Sequence, residues 1–140
     1  MRHLFLFSIG PVQTFIAEAR KTQDLYLGSR FLSYICKYAA ETLKDEFNGE
    51  IIFPDINGKG SLPNRFIAEV DADNNDLKNI GQTIESKVSD KILNIANYII
   101  EIHKLDKPQN YGNQIKNYFK TYWLFMPWPK GEKYADVYEK

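Results

Sequence analysis

The sequence predicts a single α+β domain, and three observations support that fold class. Short apolar runs are bounded by turn residues, as is typical of buried strands. Longer segments carry apolar residues every three or four positions, as amphipathic helices do. The chain has 140 residues, of which 44% are hydrophobic and 26% charged, and this composition suits one soluble globular domain with its own core.

The first predicted element is a strand followed by a turn. Residues 3–7 form a short apolar run, and Ser8 and Gly10 bound it. Gly10 tolerates unusual backbone angles, Pro11 suits a first helical turn, and Ser8 can accept a hydrogen bond from the free amides there. Such a turn leaves N–H groups available to a phosphate, although Gly-Pro also occurs at ordinary strand-to-helix junctions.

Two helical pieces are predicted next. Apolar residues recur at helical spacing over residues 12–19 and again over residues 31–43, and we expect a break between the pieces near Gly28 and Ser29. Residues 47–49, Phe-Asn-Gly, end the second piece.

A hairpin follows the helices. Residues 51–54 end at a proline and residues 65–70 alternate apolar and polar side chains, so both predict strands. The turn-rich residues 57–61 lie between them. We therefore expect these two strands to pair.

A long helix and a last strand complete the domain. Asp73 and Asp76 are candidate caps for a helix whose apolar residues predict one core face: Leu77, Ile80, Ile84, Val88, Ile92, Ile95, Ile99 and Ile102. After Pro108 a short amphipathic piece is expected over residues 115–119. The aromatic run 122–126 predicts the final strand.

The order strand, helix, strand, strand, helix, strand is the split βαβ pattern of a ferredoxin-like domain. The expected architecture is a four-stranded antiparallel sheet with helices on one face. We expect residues 1–129 to form this domain. Residues 130–140 are charged and begin another helix, so we expect them to start a linker towards further domains.

Charge and composition argue against several functions. Eighteen basic and eighteen acidic residues balance, so any RNA contact must use a local patch. Cys36 has no partner for a disulfide and lies at helical spacing with apolar neighbours, which predicts a core residue in a reducing compartment. One Cys with the distant His3 and His103 makes no metal site. No run approaches the roughly 18 apolar residues of a membrane span, and we expect a cytoplasmic protein.

A long composite motif identifies a family resemblance. Residues 8–16 read Ser-Ile-Gly-Pro-Val-Gln-Thr-Phe-Ile, residues 19–25 read Ala-Arg-Lys-Thr-Gln-Asp-Leu, and Gly-Ser follows at 28–29. This motif resembles the opening of the large, Cas10-type subunit of type III-B CRISPR Cmr complexes, the Cmr2 family. Phe53-Pro54, residues 62–66 and the aromatic last strand resemble the same family. Its members are several times longer than this chain.

The resemblance implies a degenerate nucleotide-cyclase-like, or palm-like, domain. In that family a second domain carries Gly-Gly-Asp-Asp and makes cyclic oligoadenylates from ATP with Mg²⁺ when the complex binds target RNA. The first domain forms one wall of the composite nucleotide site. The implied partners are other Cmr subunits, with guide RNA and target RNA reached through the complex, in antiviral defence.

By the same resemblance, ten residues would face a nucleotide: Ser8, Gly10, Pro11, Gln13, Arg20, Lys21, Gly28, Ser29, Asn64 and Arg65. Arg20, Lys21 and Arg30 could form a basic cluster that suits phosphate, with Arg65 close by across the sheet. The alternative is a solvated face on which these cations pair with Glu18 and Asp24.

Catalysis is not expected from this chain. Nucleotidyl transfer on this fold needs paired carboxylates that hold Mg²⁺. The first strand ends Phe-Ser-Ile at residues 7–9, and the hairpin tip offers only Asp55. We therefore expect no catalytic residue, no metal site and no cofactor here. A histidine-aspartate nuclease is not expected either, because neither histidine has an adjacent aspartate.

Two other functions remain open at this point. A standalone ferredoxin-like module could bind RNA or regulate another protein. Tyr122, Trp123 and Trp128 could stack bases in such a module, but no basic-aromatic signature accompanies them, and a core or interface role fits them better. An independent phosphotransfer enzyme is the third alternative, and the missing carboxylate pair argues against it.

Overall fold

The computed structural model describes residues 1–10, 22–58, 63–107 and 109–139, with the side chains of residues 22–29 left out of the description. The predicted helical piece over residues 12–19 lies outside these ranges. The described elements are β1 (Arg2–Gly10), α1 (Thr22–Phe47), β2 (Glu50–Phe53), β3 (Arg65–Asp71), α2 (Leu77–His103), α3 (Tyr111–Tyr118), β4 (Lys120–Pro127) and α4 (Tyr134–Tyr138).

The four strands form one sheet in the order β2-β3-β1-β4, and every neighbouring pair is antiparallel. The predicted α+β class and antiparallel sheet are confirmed, and the order is consistent with a ferredoxin-like domain. β1 occupies a central position, between β3 and β4.

The main core lies between the sheet and the helices. Phe5, Phe7 and Ile9 of β1 pack with Ile35 of α1 and Ile84 of α2, and all five side chains are buried. We call the opposite side of the sheet the open face. Burying side chains of this size stabilises the fold by about 1.5–3 kcal/mol each, so this layer holds the helices to the sheet.

One end of the open face carries a second, smaller core. Leu4, Ile67, Trp128 and Val137 are buried together there, and Val137 belongs to α4. The Arg2 guanidinium lies 4.2 Å from the centre of the Trp128 ring, where a cation–π attraction holds the indole in place. The segment after β4 therefore packs back on the sheet.

The predicted break near Gly28 and Ser29 is wrong. α1 runs without interruption from Thr22 to Phe47. Glycine inside a helix costs only about 1 kcal/mol relative to alanine. Burial of the residues that follow offsets this cost, because the whole inner stripe of α1 is in the core: Leu32, Ile35, Cys36, Ala39, Ala40 and Leu43.

The predicted core face of α2 is correct only for its first part. Ile80, Ile84 and Val88 are buried, whereas Ile99 and Ile102 are 47% and 52% exposed. The helix has 27 residues and is about 40 Å long, while the nine residues of β1 span only about 30 Å. The last turns of α2 extend past the sheet, so their apolar side chains are not buried in the core.

The prediction of the residue that caps α2 is also only partly correct. Asp76 does precede the first residue of α2, but its side chain makes no capping hydrogen bond, and the other candidate, Asp73, lies outside the helix end. His103 is the last residue of α2. No helix in the described ranges combines the length and apolar character needed to cross a membrane.

Cys36 is a core residue, as predicted, with 1% of its surface exposed. Burial raises the pKa of its thiol to about 12, because the charged thiolate would lose its hydration there. The side chain therefore stays a neutral, small apolar group at any physiological pH.

Candidate nucleotide-binding surface

β1 is longer than the sequence indicated, and this changes the position of Ser8 and Gly10. Both residues lie within the strand, which continues to Gly10, rather than in a turn. Ser8 is opposite Arg65 of β3 on one side and opposite Tyr122 of β4 on the other. Gly10 is opposite Lys120. The end of β1 is therefore a paired strip of sheet and not a free turn.

Asn64 fixes the start of β3 against the end of β1. Its side-chain amide donates to the carbonyl oxygen of Ile9 at 2.8 Å, and the Ile9 N–H donates to the Asn64 carbonyl oxygen at 3.0 Å. These two bonds set the register that places Arg65 beside Ser8. Asn64 thus acts on the surface by positioning its neighbour.

Ser8 and its strand partners face the open side of the sheet. Phe7 and Ile9, which flank Ser8, are buried under the helices, so Ser8 must point the other way. Directly opposite residues of antiparallel strands share a face, with Cβ atoms about 5 Å apart. Arg65 is exposed and Tyr122 is 62% exposed. We call Arg65, Ser8 and Tyr122 the β1-end row.

Only part of the predicted nucleotide-contacting set falls on described residues. Pro11, Gln13, Arg20 and Lys21 lie outside the described ranges. Gly28 and Ser29 lie within α1, but only the backbone of this part of the helix is described. The basic cluster of Arg20, Lys21 and Arg30 therefore stays a prediction. Ser8, Gly10, Asn64 and Arg65 are the predicted residues that the structure brings together.

Tyr122, Trp123 and Trp128 do not form one cluster. Trp123 lies on the helix side, where its indole N–H donates to Glu85 at 3.0 Å, and Trp128 is only 8% exposed in the smaller core. The core role predicted for aromatics at this end of the chain holds for these two residues. Tyr122 alone is presented to solvent on the open face.

Lys120 and Tyr122 are residues of this surface that the sequence analysis did not assign to it. Lys120 is exposed and lies two residues before Tyr122, so both side chains point to the same face of β4. Strand alternation could have predicted that shared face. The pairing of β4 with β1 was needed to place the two residues beside Ser8 and Gly10.

The carboxylates of the sheet lie away from the β1-end row. Glu69 binds Arg2 at 3.4 Å, and Asp71 binds the N-terminal amine at 2.7 Å, both at the opposite end of the sheet. That amine donates a hydrogen bond to Asp71, which lowers the pKa of the Asp71 carboxyl. Asp55 of the hairpin accepts the N–H of Asn57 at 3.0 Å and so closes its own turn.

Metal ligands are not clustered in the described part of the chain: no group of three His, Cys, Asp or Glu residues is placed to hold an ion there. His3 is buried, and its two ring nitrogens lie 3.0 Å from the Met1 carbonyl oxygen and 3.0 Å from the Asn74 side-chain oxygen. These contacts tie the start of β1 to the loop before α2.

Fold and surface together define a class: a ferredoxin-like α+β domain with a basic and aromatic strip at one end of its sheet. A family model described as CRISPR-associated protein Cmr2, N-terminal, matches residues 4–59. The CRISPR system Cmr subunit Cmr2 of Pyrococcus furiosus is 23% identical over 168 residues, which cover 97% of this chain and 19% of that relative. These matches confirm the resemblance to the N-terminal part of the Cmr2 family. The chain spans about a fifth of the length of this curated relative.

Proposed function

We propose that this chain is a catalytically silent, cyclase-like domain of the large subunit of a type III-B CRISPR Cmr effector, acting in RNA-guided antiviral defence in the cytoplasm. The observation that carries the proposal is the Cmr2 N-terminal match over residues 4–59, which covers most of β1 and all of α1 and β2. The ferredoxin-like strand order supports it, because cyclase-like domains are built on this sheet.

The proposed role at the chemical step is to form one wall of a composite ATP site. Ser8 and Arg65 lie opposite each other at the end of β1 and supply a hydroxyl and a cation, and Gly10 beside them has no side chain to block a ligand. No carboxylate occupies the strand positions paired with Ser8 or Gly10. Mg²⁺ and the catalytic carboxylates would therefore come from a second domain of the full subunit, which would carry out cyclic oligoadenylate synthesis.

The proposed partners are other Cmr subunits, with guide RNA and target RNA held by the assembled complex. The zero net charge of the chain supports this division, because a domain that binds RNA by itself carries a broad excess of basic residues. Protein contacts would bring the domain to the RNA.

The first experiment is an ATP titration of the ¹⁵N-labelled chain, followed by amide resonances, with a product assay on the same samples containing Mg²⁺. We expect weak, saturable shifts at Ser8, Gly10 and Arg65, and no cyclic oligoadenylate. An Arg65→Ala variant should weaken the binding. Mg²⁺-dependent product from this chain would contradict catalytic silence, and unchanged resonances at millimolar ATP would contradict the nucleotide wall.

A second experiment tests the assembly. The tagged chain is expressed together with the remaining Cmr subunits and guide RNA, and the purified material is analysed by mass spectrometry and RNA sequencing. We expect Cmr subunits and short guide RNAs to co-purify. A chain that binds RNA tightly by itself, with a steep salt dependence and no protein partner, would favour the standalone RNA-binding module instead.

A further inference from the structure

The two edge strands of the sheet, β2 and β4, differ in how they are protected against further pairing. β2 has four residues, its register with β3 shifts between Ile51 and Phe53, and Pro54 follows it. Short length, a bulge and a proline are features that keep an edge strand from pairing with another chain. β4 has eight residues in unbroken register with β1, and its one charge, Lys120, and its one proline, Pro127, are at its two ends. The edge of β4 therefore lacks the protection that β2 has.

Three residues of β4 direct their backbone groups away from the sheet. The Trp128 N–H donates to the Arg2 carbonyl oxygen at 2.9 Å, so these two residues form a hydrogen-bonded pair. Because hydrogen-bonded and non-hydrogen-bonded pairs alternate along an antiparallel ladder, the even-numbered residues of β4 point their N–H and C=O groups at β1. Thr121, Trp123 and Phe125 point theirs outward. No backbone hydrogen bond joins these three residues to a further element in the described part of the chain.

The side chains along this edge are accessible as well. On the open face, Tyr122 is 62% exposed and Leu124 is 52% exposed. On the helix side, Trp123 and Phe125 pack against the main core but are only partly buried. A long edge strand with exposed apolar side chains is suited to the addition of another strand, because the new strand satisfies the backbone groups and covers the side chains.

From these observations we infer that the edge of β4 pairs with the edge of β4 in a second copy of this chain. The two strands run antiparallel and are centred on Trp123, so that two four-stranded sheets join into one continuous sheet. The pairing is isologous, which means that each copy contributes the same residues. This inference goes beyond the proposed function and does not depend on it.

The backbone favours a register centred on Trp123. In that register Thr121 is opposite Phe125 of the second copy, and each Trp123 is opposite the other. All three outward-facing residues of each copy then exchange hydrogen bonds, about six in total. Pro127 has no N–H, and this register leaves it beyond the ladder. A register moved towards Pro127 would place the proline within the ladder and lose bonds.

The side chains favour the same register. On the open face, Tyr122 is opposite Leu124 of the second copy, and the symmetry repeats this aromatic-aliphatic pair. Lys120 is opposite Met126 of the second copy, so the two lysines are about 20 Å apart along the strands. A parallel arrangement would bring the two lysines together, and like charges on adjacent strands are unfavourable. The edge is therefore complementary to itself in the antiparallel direction.

Disulfide cross-linking tests the register with two single variants, Tyr122→Cys and Leu124→Cys. Residues 122 and 124 of different copies would form a non-hydrogen-bonded pair with Cα atoms about 4.5 Å apart, which a disulfide can bridge. Identical residues would be diagonal neighbours about 7–8 Å apart, which is too far. An oxidised mixture of the two variants should form a covalent dimer, and each variant alone should not. Cys36 is buried, so the parent chain measures background cross-linking.

Sedimentation velocity over a concentration series tests the dimer itself. One strand edge buries less than a standard interface of about 1,600 Å², so we expect a Kd on the order of 100 µM. Thr121→Pro removes an outward N–H and leaves the ladder with β1 intact, so it should raise the Kd at least about tenfold. Thr121→Val keeps the N–H and should dimerise like the parent chain.

A second pair of variants tests the side chains. Leu124→Lys places a charge beside Tyr122 of the second copy and should also raise the Kd at least about tenfold. Ile102→Lys is the matched control, because Ile102 on α2 is likewise 52% exposed and lies away from the edge. Thermal unfolding of each variant checks that the fold is intact.

The outcomes separate this inference from the proposed function. A parent chain that stays monomeric up to about 1 mM would overturn the inference, because a strand edge with this complementarity should associate below that concentration. A mixture of cysteine variants that cross-links no more than the separate variants would overturn the register. Cross-linking of Leu124→Cys to a different Cmr subunit in the purified assembly, with no dimer of this chain, would replace the second copy by a strand of that subunit. None of these results changes the expected outcome of the ATP titration.

Discussion

Replacing Gly81 by alanine tests how closely α2 packs against β4. A Cβ atom at this position would lie 2.5 Å from two ring atoms of Trp123 and 2.6 Å from a third. The indole cannot easily withdraw, because its N–H is bonded to Glu85 and its ring packs at 6.1 Å from Phe125. The helix backbone therefore rests directly on the ring, and glycine is the residue that permits this contact.

The expected change in the free energy of unfolding is the sum of two opposing effects. Overpacking a well-filled site costs about 1–3 kcal/mol, and this contact is severe enough to take the upper value. The higher helix propensity of alanine offsets about 1 kcal/mol of this destabilisation. Gly81→Ala should then lower the free energy of unfolding by about 2 kcal/mol. With a denaturant slope of about 2 kcal/mol/M, the urea midpoint should fall by about 1 M.

The matched control is Gly112→Ala in α3, because an added Cβ there meets nothing within 4 Å. The same substitution should stabilise the chain by about 0.5 kcal/mol at this site. Combining Gly81→Ala with Trp123→Leu should remove most of the penalty. Equal effects of the two glycine variants, or effects of Gly81→Ala and Trp123→Leu that simply add, would refute a contact between α2 and the indole.

Two further predictions concern the core. In urea titrations, Ile84→Ala should lower the free energy of unfolding by about 2–5 kcal/mol, because Ile84 is fully buried. Ile99→Ala should lower it by less than about 0.5 kcal/mol, because Ile99 is 47% exposed on the same helix. Similar losses in the two variants would mean that α2 does not extend past the sheet. The unfolded chain releases the Cys36 proton near its ordinary pKa of 9.0 while the fold retains it to about 12, so stability should fall as pH rises above 9. Cys36→Ala should show a shallower loss between pH 8 and pH 10, and identical slopes would show that the thiol is not buried.

Local pattern was sufficient to predict most of the elements. Alternation over residues 65–70 and helical spacing along α2 depend only on which residues share a face, and both were read correctly. The end of α1 was also predictable from the residues Asn48 and Gly49, which are typical of helix ends. In the structure Asn48 has a positive φ of 53°, and the Gly49 N–H donates to the Leu43 carbonyl oxygen at 3.1 Å. Periodicity does not show which neighbour covers a face, and so the exposure of Ile99 and Ile102 was missed.

The candidate site was predictable only in part for a related reason. The family resemblance put Ser8 and Arg65 in one set of nucleotide-facing residues, and the register places them opposite each other on β1 and β3. Lys120 and Tyr122 come from a strand far away in sequence. Their position depends on β4 pairing with β1, which is a property of the whole sheet and is not contained in the residues around them.

The central position of β1 determines when the domain can finish folding. β1 is made first, yet one of its two neighbours is β4, so that His3 pairs with Pro127 and the Trp128 N–H donates to the Arg2 carbonyl at 2.9 Å. During synthesis one edge of β1 keeps its N–H and C=O groups unpaired while α1, the hairpin and α2 emerge. Such an edge invites pairing with other nascent chains. The segment after residue 119 closes that edge, and a chain shortened there would leave the ribosome with its central strand unprotected.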